Sequence, residues 1–154
     1  MSPRSLLVLL LVFGCHRGPE LPAGDIAATL TAPAATGTAF DPASLHGKPS
    51  LVMFVSITCP FCRATIPRAA AAAKAEDGNA LLVFVTGTPG GVKSLLTTIK
   101  FPYPALVDDG ALKARYGVHA VPYTLVLGPD GRARDVLEGE QEESALRDAL
   151  VAAR

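Results

Sequence analysis

The sequence has no tryptophan, few other aromatic residues and only three cysteines among its 154 residues. It also lacks any lysine- or arginine-rich stripe, and its 14 basic residues balance 14 acidic ones. Proteins that bind nucleic acid usually present a row of cations to the phosphates, so the sequence argues against a nucleic-acid partner. An apolar fraction of 49% with 18% charged residues is instead typical of one packed globular domain.

Residues that bind metals are also few and widely spaced. A structural zinc site takes four ligands, usually two cysteine pairs or one pair with two closely spaced histidines. Cys59 and Cys62 form one such pair, but no second pair follows, and His46 and His119 are far apart. We therefore expect no metal and no other cofactor. A module that binds or delivers copper or zinc stays open as an alternative function.

The first residues, MSPRSLLVLLLVFGC, have the pattern of an export signal, in which Arg4 precedes an apolar run from Leu6 to Phe13. As a helix this run rises only about 12 Å, too little for a hydrocarbon core of roughly 30 Å. The ending VFGC is similar to a bacterial lipobox, whose cysteine is lipidated. We expect cleavage of residues 1–14 before Cys15 and a lipid on Cys15. An ordinary signal peptide or a retained short anchor is the alternative.

This N-terminus predicts a membrane-anchored lipoprotein on the periplasmic side of the bacterial cell envelope. Residues 15–35 are rich in proline, glycine and alanine and show little apolar periodicity, which is typical of a flexible tether. The folded domain is then expected over residues 36–154. It retains only the cysteine pair, and in an oxidising compartment such a pair can alternate between dithiol and disulfide.

The apolar pattern of this domain predicts an α/β fold, with a central mixed β-sheet flanked by helices. Apolar runs at 51–57 and 80–86 are rich in β-branched residues and indicate strands buried on both faces, with an alanine-rich helix between them. This order predicts a parallel strand pair. The turn sequence GPDG at 128–131 separates two further strand-like stretches and predicts an antiparallel hairpin, and residues 140–154 have helical spacing.

The cysteine pair lies between the first predicted strand and the helix, in the stretch SITCPFCR. Cys59 is expected at the first turn of the helix, where free N–H groups and the positive end of the helix dipole favour a thiolate. Cys62 lies one turn deeper and would be less exposed. We predict that Cys59 is the nucleophile in a mixed disulfide and that Cys62 is the resolving thiol. A purely structural disulfide across so small a loop would add little stability.

Two stretches, GTAFDPASLHGKPSLVMFVSITCPFCRATIP and YGVHAVPYTLVLGPDGRA, resemble the thioredoxin-like superfamily, especially its exported TlpA/ResA-like branch. The matching motifs are Gly-Lys-Pro before the first buried strand, the Cys-x-x-Cys pair, a proline five residues after the second cysteine, and a Val-Pro pair that opens the hairpin. The resemblance covers most of residues 36–154. It implies a thioredoxin-like fold with the cysteine pair at a helix N-terminus.

The resemblance also implies which residues bind substrate. Pro122 matches the family's cis-proline, which packs against the cysteines, and Val121 would offer its backbone N–H and C=O to an extended substrate strand. Pro60 and Phe61, between the cysteines, are expected to contact the substrate as well. Phe61 would be an exposed apolar contact for a protein.

Two positions depart from the thioredoxin pattern. Met53 occupies the place of a buried acid found in many thioredoxins, and Thr58 occupies the place of a tryptophan. The missing acid removes the usual proton acceptor for the resolving thiol. Because the dipeptide between the cysteines also differs from the Gly-Pro of reducing thioredoxins, the physiological direction of the reaction stays open at this point.

These observations predict a thiol–disulfide oxidoreductase that exchanges disulfides with exported protein thiols through a Cys59/Cys62 couple. Its partners would be exported thiol or disulfide proteins and a redox partner protein, and the molecule is expected to be a monomer. Besides the metal-binding module, a thiol peroxidase is an alternative. Against the peroxidase, Val52 and Ser56 occupy the positions at which such enzymes carry a proline and a threonine.

Overall fold

The computed structural model describes residues 20–37 and 39–154, which form one mixed β-sheet covered on both faces. The five strands are β1 (Ser50–Ser56), β2 (Asn79–Thr86), β3 (Ala105–Val107), β4 (Tyr123–Leu127) and β5 (Ala133–Glu138). The α-helices are α1 (Pro60–Ala75), α2 (Pro89–Ile99), α3 (Ala111–Arg115) and α4 (Glu143–Ala152). The strand order is β3-β2-β1-β4-β5, which confirms the predicted fold class.

Strand β1 lies at the centre of the sheet because it presents apolar side chains to both faces. It pairs in parallel with β2 and antiparallel with β4, and all of its residues are buried. Successive side chains of a strand point to opposite faces. Leu51, Met53 and Val55 therefore pack on one core, and Val52 and Phe54 on the other. The parallel β1–β2 pair joined through α1 and the β4–β5 hairpin were both predicted from the sequence.

Helices α1, α2 and α4 cover the first of these faces, through buried residues that include Ile66, Val92 and Leu146. Helix α3 covers part of the opposite face through Leu112. No helix within the described residues is long and apolar enough to span a membrane.

The rest of the second face is covered by the segment 20–35, which the sequence had suggested to be a flexible tether. For the described part of that tether the prediction is wrong, because Ile26, Ala27 and Leu30 are buried in the core. The apolar residues of the segment lie around a three-residue 3-10 turn, Ala27–Thr29, which is too short to produce a periodic pattern. The folded domain therefore begins before residue 36. Residues 1–19, with the predicted cleavage site and Cys15, lie outside the described part of the chain.

Backbone hydrogen bonds fix this segment to the β4–β5 turn. The N–H groups of Ile26 and Ala27 both donate to the carbonyl of Gly131, at 2.9 and 3.2 Å. Gly131 has a φ of +74°, and a side chain there would collide with Asp25 and His46. The Asp25 carboxylate accepts from the Ala28 N–H and lies 3.0 Å from His46 Nε2, and these contacts lower the pKa of Asp25.

A pair of leucines tests whether the N-terminal segment is part of the fold. Leu30 is fully buried, whereas Leu21 is 41% exposed. Leu30→Ala should lower the free energy of unfolding by about 2–5 kcal/mol, because it removes a core side chain and leaves a cavity. Leu21→Ala should change it by no more than about 0.5 kcal/mol. Urea unfolding of the purified protein measures both, and equally small effects would show that the segment does not contribute to the core.

Candidate redox site

The cysteine pair lies at the N-terminus of α1, which begins at Pro60 immediately after β1 and a short loop. Cys59 is the N-cap residue, and its sulfur accepts a hydrogen bond from the N–H of Cys62 at 3.3 Å. Pro60 suits the first helical position because it has no N–H to leave without a partner. The Cys59 sulfur thus takes the place usually filled by a serine or aspartate oxygen, at the positive end of the helix dipole, where an anion is stabilised.

The two cysteines have different environments. Their sulfurs are not joined by a disulfide, and Cys59 is partly exposed while Cys62 is fully buried. Burial, together with the hydrogen bond to Cys59, raises the pKa of Cys62 to about 12, against the opposing effect of a backbone hydrogen bond with Ser56. Cys62 is therefore a protonated thiol at neutral pH. Cys59 is the sulfur that an approaching partner can reach.

The loop before β4 brings the Val121–Pro122 dipeptide to this pair, through the carbonyl of Val121. The Val121–Pro122 peptide bond is cis, as the resemblance implied. The Cys59 sulfur lies 3.7 Å from the carbonyl oxygen of Val121, to which its S–H donates. Pro122 is buried, and its carbonyl accepts from the N–H of Gly139 at 2.9 Å. The hairpin thereby holds Val121 beside the sulfur.

Both residues between the cysteines, Pro60 and Phe61, are exposed. Phe61 has 57% of its surface exposed, one of few large apolar side chains that the described residues present to solvent. An aromatic ring beside a reactive sulfur provides an apolar surface for an unfolded or extended polypeptide.

A chain of hydroxyl groups supports the loop before Cys59. The Ser56 hydroxyl lies 2.6 Å from that of Thr86 and 3.1 Å from that of Thr58, and it accepts from the Thr58 N–H at 3.3 Å. Sequence reasoning missed this chain, because Thr86 belongs to the next strand and only the β1–β2 pairing brings it close. Thr58, in the place of a tryptophan, is exposed.

Arg63, on helix α1, stabilises the loop between β1 and Cys59. Its Nε and Nη2 groups donate to the carbonyl of Ile57 at 3.3 and 3.0 Å. This contact directs the guanidinium to the backbone rather than to either sulfur. Local sequence patterns do not indicate this acceptor, which lies six residues earlier in the chain.

A cleft of about 240 Å³ is lined by Val121, whose carbonyl contacts the Cys59 sulfur. Val121 forms part of its lining, together with Ser56 and Thr58, and two basic residues, Lys113 and His119, complete one side. The lining of the cleft therefore includes hydroxyl groups and two basic side chains, and Thr58 within it directly precedes Cys59. Within residues 20–37 and 39–154, no group of three or more His, Cys, Asp or Glu side chains is placed to hold a metal ion.

The position of the missing acid is filled with apolar surface. Met53 is 1% exposed and lies in the same core as Cys62. Its partner across the β1–β4 ladder is Thr124. No carboxylate therefore reaches the Cys62 thiol from β1.

A mixed five-stranded sheet, a Cys-x-x-Cys pair at a helix N-terminus and a cis-proline against the first cysteine together define a thioredoxin-like protein. The model of the AhpC/TSA family matches residues 23–136, and the chain belongs to this family. The match begins inside the N-terminal segment that packs on the sheet.

Comparison with individual proteins gives a relative by sequence and solved structures with a similar fold. The chain is 32% identical over 127 residues to the soluble secreted antigen MPT53 of Mycobacterium tuberculosis, covering 81% of this chain and 73% of that protein. It is similar to the crystal structure of a secreted M. tuberculosis disulfide oxidoreductase described as homologous to E. coli DsbE, with 25% identity and a TM-score of 0.73 over 84% of this chain and 99% of the other. The M. tuberculosis DsbF structure, at 24% identity, supports the fold, with a TM-score of 0.72 over 88% of this chain and 100% of that one.

These relationships, together with the paired thiols, confirm the predicted activity class of a thiol–disulfide oxidoreductase. The same relationships support the alternative function, a thiol peroxidase, less than they support the oxidoreductase.

The asymmetry of the two cysteines predicts selective alkylation. In the reduced protein at pH 7, iodoacetamide should modify Cys59 first and leave Cys62 unmodified, because the pKa of Cys62 is raised to about 12 and its sulfur is buried. Modification of Cys62 should become appreciable only as the pH approaches that value. Peptide mass spectrometry after timed quenching separates the two sites. Equal labelling of both cysteines at pH 7 would contradict the asymmetry.

Proposed function

We propose that the protein exchanges disulfides with exported protein thiols, with Cys59 as the nucleophile and Cys62 as the resolving thiol. The observation that carries this proposal is the contrast between a capped, accessible sulfur and a buried, protonated one. Attack must begin at the sulfur that a partner can reach, which is that of Cys59 at the helix N-terminus. Resolution must come from the other, which lies one helical turn away.

In the reductive direction, the Cys59 thiolate attacks one sulfur of a substrate disulfide and releases the other as a thiolate. A mixed disulfide then joins Cys59 to the substrate. Cys62 attacks the Cys59 sulfur, its proton passes to a released substrate thiolate, and the protein is left with a Cys59–Cys62 disulfide. The substrate gains two electrons and the protein loses two. Run in reverse, the same steps oxidise a substrate dithiol.

The substrate would lie across Cys59 in extended form, bound on one side by Val121 and Pro122. Backbone groups give affinity without requiring one particular side chain, which suits a protein with several clients. Because the Val121 carbonyl already lies 3.7 Å from the sulfur, a strand paired with Val121 would bring its own cysteine next to Cys59. Pro60 and Phe61 would contact the substrate from the other side, and no cofactor takes part.

We further propose that the protein is exported and held at the membrane as a monomer by a lipid on Cys15, facing the periplasm. The export-signal pattern and the lipobox-like ending support this placement. Export also fits the chemistry, because a dithiol couple exchanges with protein disulfides where those disulfides persist. A second redox protein would restore the couple after each turnover.

Trapping of the mixed disulfide tests the roles of the two cysteines. With the resolving thiol removed, Cys62→Ser should accumulate a covalent adduct with insulin, a soluble disulfide protein. The matched variant Cys59→Ser should accumulate none, because its remaining thiol is buried and protonated. Non-reducing electrophoresis and mass spectrometry identify the adduct and the cysteine that carries it. Adducts of equal yield in the two variants would refute the assignment.

The proposed anchor predicts lipid incorporation at one cysteine. In cells given radiolabelled palmitate, the wild-type chain should become labelled and sediment with membranes, and Cys15→Ala should abolish both. Cys59→Ala is the matched control and should keep label and sedimentation unchanged. A wild-type chain that is exported without label would instead indicate an ordinary signal peptide.

A further inference from the structure

Thr124 has an unusual environment for a polar residue. It is fully buried, and its hydroxyl is the only buried side-chain oxygen or nitrogen in the described residues without a hydrogen-bond partner. Leaving a buried hydroxyl unsatisfied costs on the order of 1–3 kcal/mol. Such an unsatisfied group in a well-packed core calls for an explanation.

The position of Thr124 relates it to the resolving thiol. Thr124 pairs with Met53 across the antiparallel β1–β4 ladder, and directly paired residues project to the same face of a sheet. Met53 and Val126, two residues beyond Thr124, belong to the core that contains Cys62. Thr124 also follows Pro122 by two residues on the hairpin that reaches Cys59. Its hydroxyl is therefore on the α1 side of the sheet, beside the place where the acid is missing.

We propose that the Thr124 hydroxyl, acting through one water molecule, supports the ionised form of Cys62 during resolution and so substitutes for the carboxylate that Met53 replaces. This inference rests on the proposed function. Cys62 must lose its proton to attack the mixed disulfide, and the proton ends on the released substrate thiolate. A hydrogen bond to the sulfur lowers the cost of the anion, and a threonine hydroxyl can both accept from a water and donate to it.

Other groups near Cys62 do not supply this support. Cys59 is the only titratable side chain that affects the pKa of Cys62, and in the mixed disulfide it carries no charge. Thr65, also buried and on α1, already donates to the Phe61 carbonyl at 2.9 Å. Ser56 contributes through its backbone, whereas its hydroxyl is engaged with Thr58 and Thr86. Thr124 is thus the side chain whose hydrogen-bonding capacity is unused.

Thr124→Val tests the proposal because valine keeps the shape of threonine and removes only the hydroxyl. The reduced full-length protein, carrying Cys15→Ala in every variant so that only Cys59 and Cys62 can react, is mixed with dipyridyl disulfide, and release of thiopyridone is followed by stopped-flow absorbance. The first equivalent reports attack by Cys59, and the second reports resolution by Cys62. Thr124→Val should leave the first phase unchanged and slow the second roughly tenfold or more, the loss expected for a hydrogen bond to a charged group. The pH profile of the second phase should move to higher pH by about one unit.

Two further variants serve as controls. Thr124→Ser keeps the hydroxyl and should resolve at close to the wild-type rate, even if packing is somewhat loosened. Thr65→Val removes a buried hydroxyl that already has a partner, and should leave the pH profile of resolution where it is. A Thr124→Val protein with wild-type resolution, or with both phases slowed equally, would overturn the inference. A wild-type protein that released no second equivalent would instead refute the proposed function itself.

Discussion

The hydrogen bond from the Cys62 N–H to the Cys59 sulfur is the contact on which the site depends. It begins helix α1, and it places the reactive sulfur at the positive end of that helix. The same turn of helix that leaves the Cys59 sulfur partly exposed at the N-cap buries Cys62 against the sheet. One local structure therefore produces both the reactive thiol and the protected one, and the different chemistry of two identical side chains follows from a separation of one helical turn.

The helix terminus alone does not form the site, because the sheet must bring a second segment of backbone to the Cys59 sulfur. Strand β1 ends at Ser56 and directs the chain into α1, while the antiparallel neighbour β4 brings the Val121 carbonyl to the sulfur from a distant part of the sequence. Because β1 is buried on both faces, neither its register with β4 nor the position of Cys59 can shift by one residue without exposing core side chains. The rigidity of the central strand thus fixes the distance between the Cys59 sulfur and the Val121 carbonyl.

Features encoded by neighbouring residues could be predicted from the sequence, and features that need distant partners could not. The buried strand before Cys59, the helix after it and the GPDG turn all follow from local periodicity and turn chemistry. The docking of Ile26 and Leu30 was missed because it is completed by Gly131, more than a hundred positions away, in a segment whose prolines and glycines suggested a tether. The Thr86 hydroxyl and the carbonyl acceptor of Arg63 were missed for the same reason. Pro122 was found only because a family resemblance supplied the long-range information that periodicity lacks.

Met53, in the place of an acid, removes a proton acceptor and also makes the surroundings of Cys62 more apolar. A carboxylate at the centre of the sheet would have to be solvated or paired, and it would bring charge to the underside of Cys62. Met53 instead keeps that position apolar, and burial is the main cause of the high pKa of Cys62. The hydrogen bond that the Cys59 sulfur accepts at the helix terminus does not involve Met53. In the proposed mechanism, resolution is then the step that is sensitive to small polar changes in the core, and an unpaired hydroxyl on the neighbouring strand is placed where such a change would act.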